Sequence, residues 1–112
     1  MVVRKGEVWW ASLPEPAGRR PVVVLSRDDA NRVRQLVIVA PVTTRIRHIA
    51  SEVPLTREDG LPKACVANVD TITTIPKDRL DGRIATLAPH KVAALERALR
   101  FVFALPGLFN SP

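Results

Sequence analysis

Two short runs of β-branched and aliphatic residues dominate the pattern along the chain, Arg20 to Ser26 (RPVVVLS) and Gln35 to Thr43 (QLVIVAPVT), each bounded by Gly, Asp, Asn and Arg. Such runs read as strands, and their near-continuous apolar character predicts burial on both faces. Before them, Glu7 to Leu13 (EVWWASL) predicts a strand that sends Trp9 and Trp10 to opposite faces, because successive side chains alternate across a sheet. At least one of these tryptophans then belongs to the core or to an interface. Ser51 to Leu55, Cys65 to Ile75 and Arg83 to Leu87 bring the total to about six strands, separated by turn signals at Glu58-Asp59-Gly60 and Asp81-Gly82.

The period changes near Ala88. Pro89 suits the first position of a helix, and Val92, Leu95, Leu99, Val102 and Phe103 then recur at helical spacing opposite a polar face of Lys91, Glu96, Arg97 and Arg100. Pro106-Gly107 is predicted to end this helix, and the tail 106–112 to be loose. A shorter helical turn is predicted over Asp28 to Val33. The expectation is one domain over residues 1–112, mainly β. It would be a small, partly closed antiparallel β-barrel with a C-terminal α-helix, since the chain is too short for repeated βαβ crossovers.

Composition narrows the class. The 46% hydrophobic content can fill one core, and the longest apolar runs are far too short to cross a bilayer. The start, MVVRKGEVWW, carries neither an extended apolar segment nor a small-residue cleavage site, so the expected location is the cytoplasm, with no membrane partner. Cys65 is the only cysteine, which fits a reducing compartment, removes any cysteine-rich metal site, and makes a small buried hydrophobe the better reading than a nucleophile. The acidic pairs Asp28-Asp29 and Glu58-Asp59 read as caps and solvated edges, so no metal and no cofactor is expected.

Charge adds a partner. Seventeen Lys and Arg against eleven Asp and Glu leave a net charge of +6, and thirteen of the seventeen are arginine. No acid falls between Asp29 and Glu52, whereas Arg32, Arg34, Arg45, Arg47 and His48 do. Arginine's planar fork suits phosphates and base edges, so nucleic acid is favoured over a generic polyanion, although an arginine-rich surface also serves solubility alone. The connection from Thr44 to Ala50 is the expected binding loop.

The familiar signatures of nucleotide hydrolysis, zinc chemistry and serine hydrolysis are absent. What remains is Arg20 at the entry of one buried strand and Thr43 and Thr44 at the exit of the next. If these strands are antiparallel neighbours, Arg20 and Thr43 meet at one rim, where a guanidinium and a hydroxyl suit a phosphodiester. The plainer reading pairs Arg20 with a local carboxylate and treats the threonines as ordinary β-formers.

The ordered blocks KGEVWWASL, GRRPVVVLSRDDAN, LVIVAPVTTR, EVPL and GLPKACVANVDTITTIPKDRL, followed by the last strand and terminal helix, resemble the MazF/PemK family of bacterial toxins from about residue 4 to residue 105. The resemblance implies an SH3-like barrel of the CcdB/PemK kind, a homodimer and a sequence-selective endoribonuclease cutting single-stranded RNA, neutralised by a cognate acidic antitoxin. It implies metal-independent chemistry in which a ribose 2′-OH attacks the adjacent phosphate, leaving a 2′,3′-cyclic phosphate and a 5′-OH. Arg20 of the RRP block matches the family's catalytic arginine and Thr43 of the PVT block its catalytic threonine. Asp70 in NVDTITT matches an aspartate that contributes to activity in some members, and Glu15 keeps the family's five-residue offset before Arg20; Thr44, beside Thr43, is a further candidate for a catalytic or supporting role. The EPAGRRP loop is shorter than the family's usual one, which directs attention to Arg45, Arg47 and His48 as RNA contacts and to Arg19 as an aid to the site or the antitoxin contact. Two rivals follow: a CcdB-like gyrase poison, whose relatives end in Trp-Gly-Ile where this chain ends Phe-Asn-Ser-Pro, and a non-catalytic RNA-binding barrel.

Overall fold

A computed structural model describes residues 1–106. In chain order the strands are β1 (Glu7–Ser12), β2 (Arg19–Val24), β3 (Leu36–Thr43), β4 (Glu52–Leu55), β5 (Cys65–Asn68), β6 (Thr73–Pro76) and β7 (Leu80–Thr86). The helices are α1 (Asp28–Val33), between β2 and β3, and α2 (Pro89–Val102), after β7. All strand pairs are antiparallel, in the order β4-β5-β3-β2-β1-β7, with β6 also on β3. The architecture is the expected one, mainly β with a C-terminal helix, with one difference: the hydrogen-bonded path runs from β4 to β7 without closing into a barrel.

The three central strands bury both faces, as their apolar runs demand. Val8, Val23, Ala40 and Val42 pack with Leu55, Cys65 and, from α2, Leu95 and Ala98. The alternate positions Trp9, Ala11, Val22, Val24, Val37 and Val39 form a second core with Val3, Ile75 and Leu80. The two tryptophans diverge as predicted: Trp9 is buried, and Trp10 is half-buried with the Arg19 guanidinium 4.5 Å from its ring centre. At the start of β3 the both-faces expectation fails, because Leu36 and Ile38 are exposed there.

The predicted strand Cys65 to Ile75 is two strands. Asn68 Oδ1 accepts the Asp70 N–H at 3.0 Å, and the resulting one-turn 3-10 segment Val69–Thr71 separates β5 from β6. Side-chain bonding of this kind competes with a strand ladder, and an alternating β-branched pattern cannot reveal it. β6 then pairs with Leu36 to Val39 and β5 with Val42 and Thr43, so β3 serves both in succession. The last strand also starts earlier than predicted, at Leu80.

Helix α2 stops at Val102, ahead of the predicted Pro106 stop. Ala104 turns the chain at φ 54, and Leu105 N–H closes on the Arg100 carbonyl at 2.8 Å. Phe103, expected on the apolar face, is exposed. Gly6 docks the helix: it sits at φ 87, and a Cβ there would lie 2.9 Å from Val92 Cγ2, so this contact requires glycine. The tail beyond residue 106 lies outside the described residues. No described helix is long and apolar enough to cross a membrane.

Two predictions test this packing. Leu95 is 1% exposed, so Leu95→Ala should cost about 3 kcal/mol in urea unfolding, and a loss below about 1 kcal/mol would contradict its core position. Glu96 bonds Lys5 Nζ at 2.7 Å, which holds its carboxyl below the ordinary value against the smaller opposing effect of burial. A lowered folded value means that the pair stabilises above the unfolded value and is lost as pH falls through the folded one. Both side chains are over one-third exposed or close to it, so Glu96→Gln should cost at most about 0.5 kcal/mol at neutral pH, and the difference should vanish in acid denaturation series.

Candidate active site

The register between β2 and β3 pairs Val24 with Val39, Val23 with Ala40 and Val22 with Pro41. Carried two residues further toward the rim, the same register sets Arg20 opposite Thr43. Both line one surface cavity of about 130 Å³, joined there by Pro41, Arg45, Arg47, Glu52, Asn68 and Thr71.

Each wall has a local cause. Arg20 is half-buried and fixed by its Nε, which donates to the Ala17 carbonyl at 3.1 Å across the β1–β2 hairpin. Its terminal nitrogens thus remain available to a ligand. Thr43 Oγ1 accepts the Arg45 N–H at 3.1 Å, which turns the chain out of β3 and leaves the hydroxyl proton free to donate. The following residues, Thr44 to Ala50, are all exposed and carry Arg45 and Arg47 back over the cavity. Three arginines, against the single carboxylate of Glu52, give this small hollow a net positive lining, a setting that suits an anion.

Other sequence-derived candidates lie elsewhere. Thr44 lines a neighbouring, almost wholly apolar cavity of about 150 Å³ with Trp10, Pro21, Leu61, Pro62 and Cys65, and Thr43 is common to both hollows. Arg19 is absent from the lining of the Arg20–Thr43 cavity, pairing instead with Asp81 at 3.5 Å and stacking on Trp10. His48 is exposed at φ 57 and, like Glu15, is absent from the lining. Glu15 sits exposed in the β1–β2 hairpin, which is closed by the Leu13 N–H on the Gly18 carbonyl at 2.9 Å. Asp70 is exposed in the 3-10 turn, and its neighbours Asn68 and Thr71 take the places on the wall.

Sequence reading missed Glu52, Asn68, Thr71 and Pro41. Asn68 and Thr71 stand within the NVDTITT block, and the Asn-x-Asp spacing of a side-chain-capped turn was the available signal. Glu52 showed only as the acid that ends the basic stretch. Among the described residues no group of three or more His, Cys, Asp or Glu is gathered, and the cavity itself offers a single carboxylate.

Comparison with known proteins places this geometry in a family. Residues 4–103 match the family model of the PemK-like, MazF-like toxin of type II toxin-antitoxin systems. The chain is 43% identical over 96 residues to a probable endoribonuclease MazF5 of Mycobacterium tuberculosis, covering 85% of this chain and 87% of the relative. Its fold is similar to the Mycobacterium tuberculosis toxin MazF-mt6, with a TM-score of 0.82 and 33% identity over 88% of this chain and 97% of that one. It is also similar to a mycobacterial endoribonuclease in complex with its cognate antitoxin, with a TM-score of 0.84 and 28% identity over 94% of this chain and 98% of that one.

Cys65 forms the floor between the apolar hollow and the core. Burial, and secondarily the charge of Asp59, push its thiol above its ordinary value, so the unreactive protonated form prevails at neutral pH. Native protein should therefore react with a thiol-specific disulfide reagent far more slowly than urea-unfolded protein. Equal rates in the two states would contradict the placement.

Proposed function

The chain belongs to the PemK-like, MazF-like toxin family of type II toxin-antitoxin systems and is an endoribonuclease of that family; from this premise we propose that it cuts single-stranded RNA at the Arg20–Thr43 cavity without a metal. The observation that carries the reading is that the β2–β3 register brings a half-buried arginine and a threonine hydroxyl to one rim, under a loop that adds two more guanidinium groups.

The chemistry follows from these groups. The 2′-OH of the nucleotide before the scissile bond attacks the phosphorus and loses its proton. The P–O5′ bond breaks, and the leaving oxygen takes a proton, giving a 2′,3′-cyclic phosphate and a 5′-OH. No protein nucleophile is needed. Charge accumulates on the non-bridging oxygens in the transition state, where preorganised donors lower the barrier most. Arg20, its Nε already committed to Ala17, offers its terminal N–H groups to those oxygens. A guanidinium is a poor proton donor, so the role of Arg20 is electrostatic. Thr43, whose oxygen is held by the Arg45 N–H, donates its own hydroxyl proton to phosphate or ribose oxygen. Arg45 and Arg47 bind flanking phosphates or base edges, and Asn68 supplies amide donors and an acceptor suited to a base edge.

A net charge of +6 and a cavity edged by arginines favour an acidic antitoxin segment as the partner that covers this groove. The exposed apolar side chains Leu36 and Ile38 of β3 and Phe101 and Phe103 at the end of α2 support a homodimer as the working form.

Cleavage of a long single-stranded RNA in EDTA, with the product ends mapped, tests the reading. Wild type should cut at a short recurring motif with cyclic-phosphate ends. Arg20→Ala should lower kcat about 100-fold or more, and Thr43→Ala about tenfold or more, with thermal unfolding little changed. An Arg20→Ala variant that cleaves at the wild-type rate would overturn the assignment.

A further inference from the structure

One carboxylate stands in a hollow otherwise charged by arginines. Glu52 is 8% exposed and lines the cavity with Arg20, Arg45 and Arg47, a position that weakens any anion site unless the acid has another task. Its contacts identify the task. Glu52 Oε1 accepts the N–H of Arg47 at 2.8 Å and that of His48 at 3.2 Å, and its own N–H donates to the Ile49 carbonyl at 3.0 Å. All three partners are backbone groups of the basic loop. Glu52 itself is fixed, as the first residue of β4, paired with Asn68 of β5.

The loop has few other restraints. Its residues 44–50 are exposed, His48 holds the left-handed φ of 57 that a side chain disfavours, and at the other end the Arg45 N–H rests on Thr43. Left free, such a segment samples many conformations, and a ligand that requires one of them binds more weakly by the fraction populated. We propose that Glu52 is a positioning residue: by gripping the Arg47 and His48 amides it holds the loop in the conformation that delivers Arg45 and Arg47 to the substrate. The carboxylate is an acceptor only, and charge-assisted bonds to two amides are stronger than neutral ones. This inference rests on the endoribonuclease reading for its consequence in catalysis, but the clamp itself is a property of the free protein.

The test uses the full chain with Glu52→Ala, Glu52→Gln, Arg47→Ala and the Glu52→Ala/Arg47→Ala double variant. Glu52→Ala should raise KM for RNA about tenfold with kcat changed by less than about threefold, because it spoils uniform binding and not a transition-state contact. Glu52→Gln, whose carbonyl oxygen can accept the same two N–H groups, should restore most of that affinity. Because the clamp also delivers Arg45, the double variant should bind worse than Arg47→Ala, but by less than the roughly tenfold that Glu52→Ala costs when Arg47 is present. Hydrogen exchange supplies a reading free of activity: the Arg47 and His48 amides should be protected in wild type and in Glu52→Gln and unprotected in Glu52→Ala, with the Val53 and Val66 amides protected in all three.

Unprotected Arg47 and His48 amides in the wild type would overturn the proposal even if Glu52→Ala failed to fold. So would an unchanged KM in a folded Glu52→Ala. A loss of kcat in Glu52→Gln with both amides still protected would also overturn it, making Glu52 a group that acts on the substrate directly. If the wild type cleaves no RNA, the endoribonuclease reading falls, while the exchange data still decide the clamp.

Discussion

The pairing of β2 with β3 is the constraint on which the site depends. Antiparallel strands in a fixed register leave no freedom over which residues share a rim: with Val22 opposite Pro41, Arg20 must come to Thr43. A one-residue slip would send Val23 from the α2 side of the sheet to the other and expose or misplace an entire apolar set. The two buried cores therefore fix the geometry of the cavity. The placement of Arg20 and Thr43 rests on hydrophobic packing one or two residues away along the same strands, which explains how a chain this small can hold a guanidinium and a hydroxyl at one rim without a large scaffold.

The buried acids show a second economy of design. Glu7 is almost fully buried, and its carboxylate accepts the Arg4 N–H at 2.8 Å, the Trp9 indole N–H at 3.0 Å and the Arg83 guanidinium at 3.1 Å. It ties the N-terminal turn, β1 and β7 together. Glu52 treats the basic loop in the same way, through backbone amides. In a protein dominated by arginine, these carboxylates serve as internal anchors. The solvent-facing acids Asp28, Asp29 and Asp81 meet nearby basic residues or backbone donors.

How much of this could be read from the sequence follows the range of the interactions. The strands β1 to β3, α1 and α2 were legible because their patterns are local, and the meeting of Arg20 and Thr43 needed only that two adjacent strands pair antiparallel. The break between β5 and β6 was hidden, since it depends on an Asn68 side chain bonding its own backbone within a β-branched run. Glu52 was hidden for a different reason. Its partners lie four and five residues back, across a loop whose path cannot be derived from composition. Asn68 and Thr71 reach the wall because β5 pairs with the far end of β3, a non-local fact. Glu15 and Asp70, named by resemblance to the family, stand outside the lining, where the hairpin and the 3-10 turn place them.

The central claim is that the phosphodiester to be cut sits between Arg20 and Thr43. A crystal structure of the protein with its RNA recognition sequence, made uncleavable by a 2′-deoxy nucleotide at the scissile position, tests this most directly. The account predicts the scissile phosphate within hydrogen-bond reach of the Arg20 guanidinium and the Thr43 hydroxyl, with Arg45 or Arg47 on a neighbouring phosphate or base. An RNA bound on another face, with this cavity filled only by solvent, would contradict it.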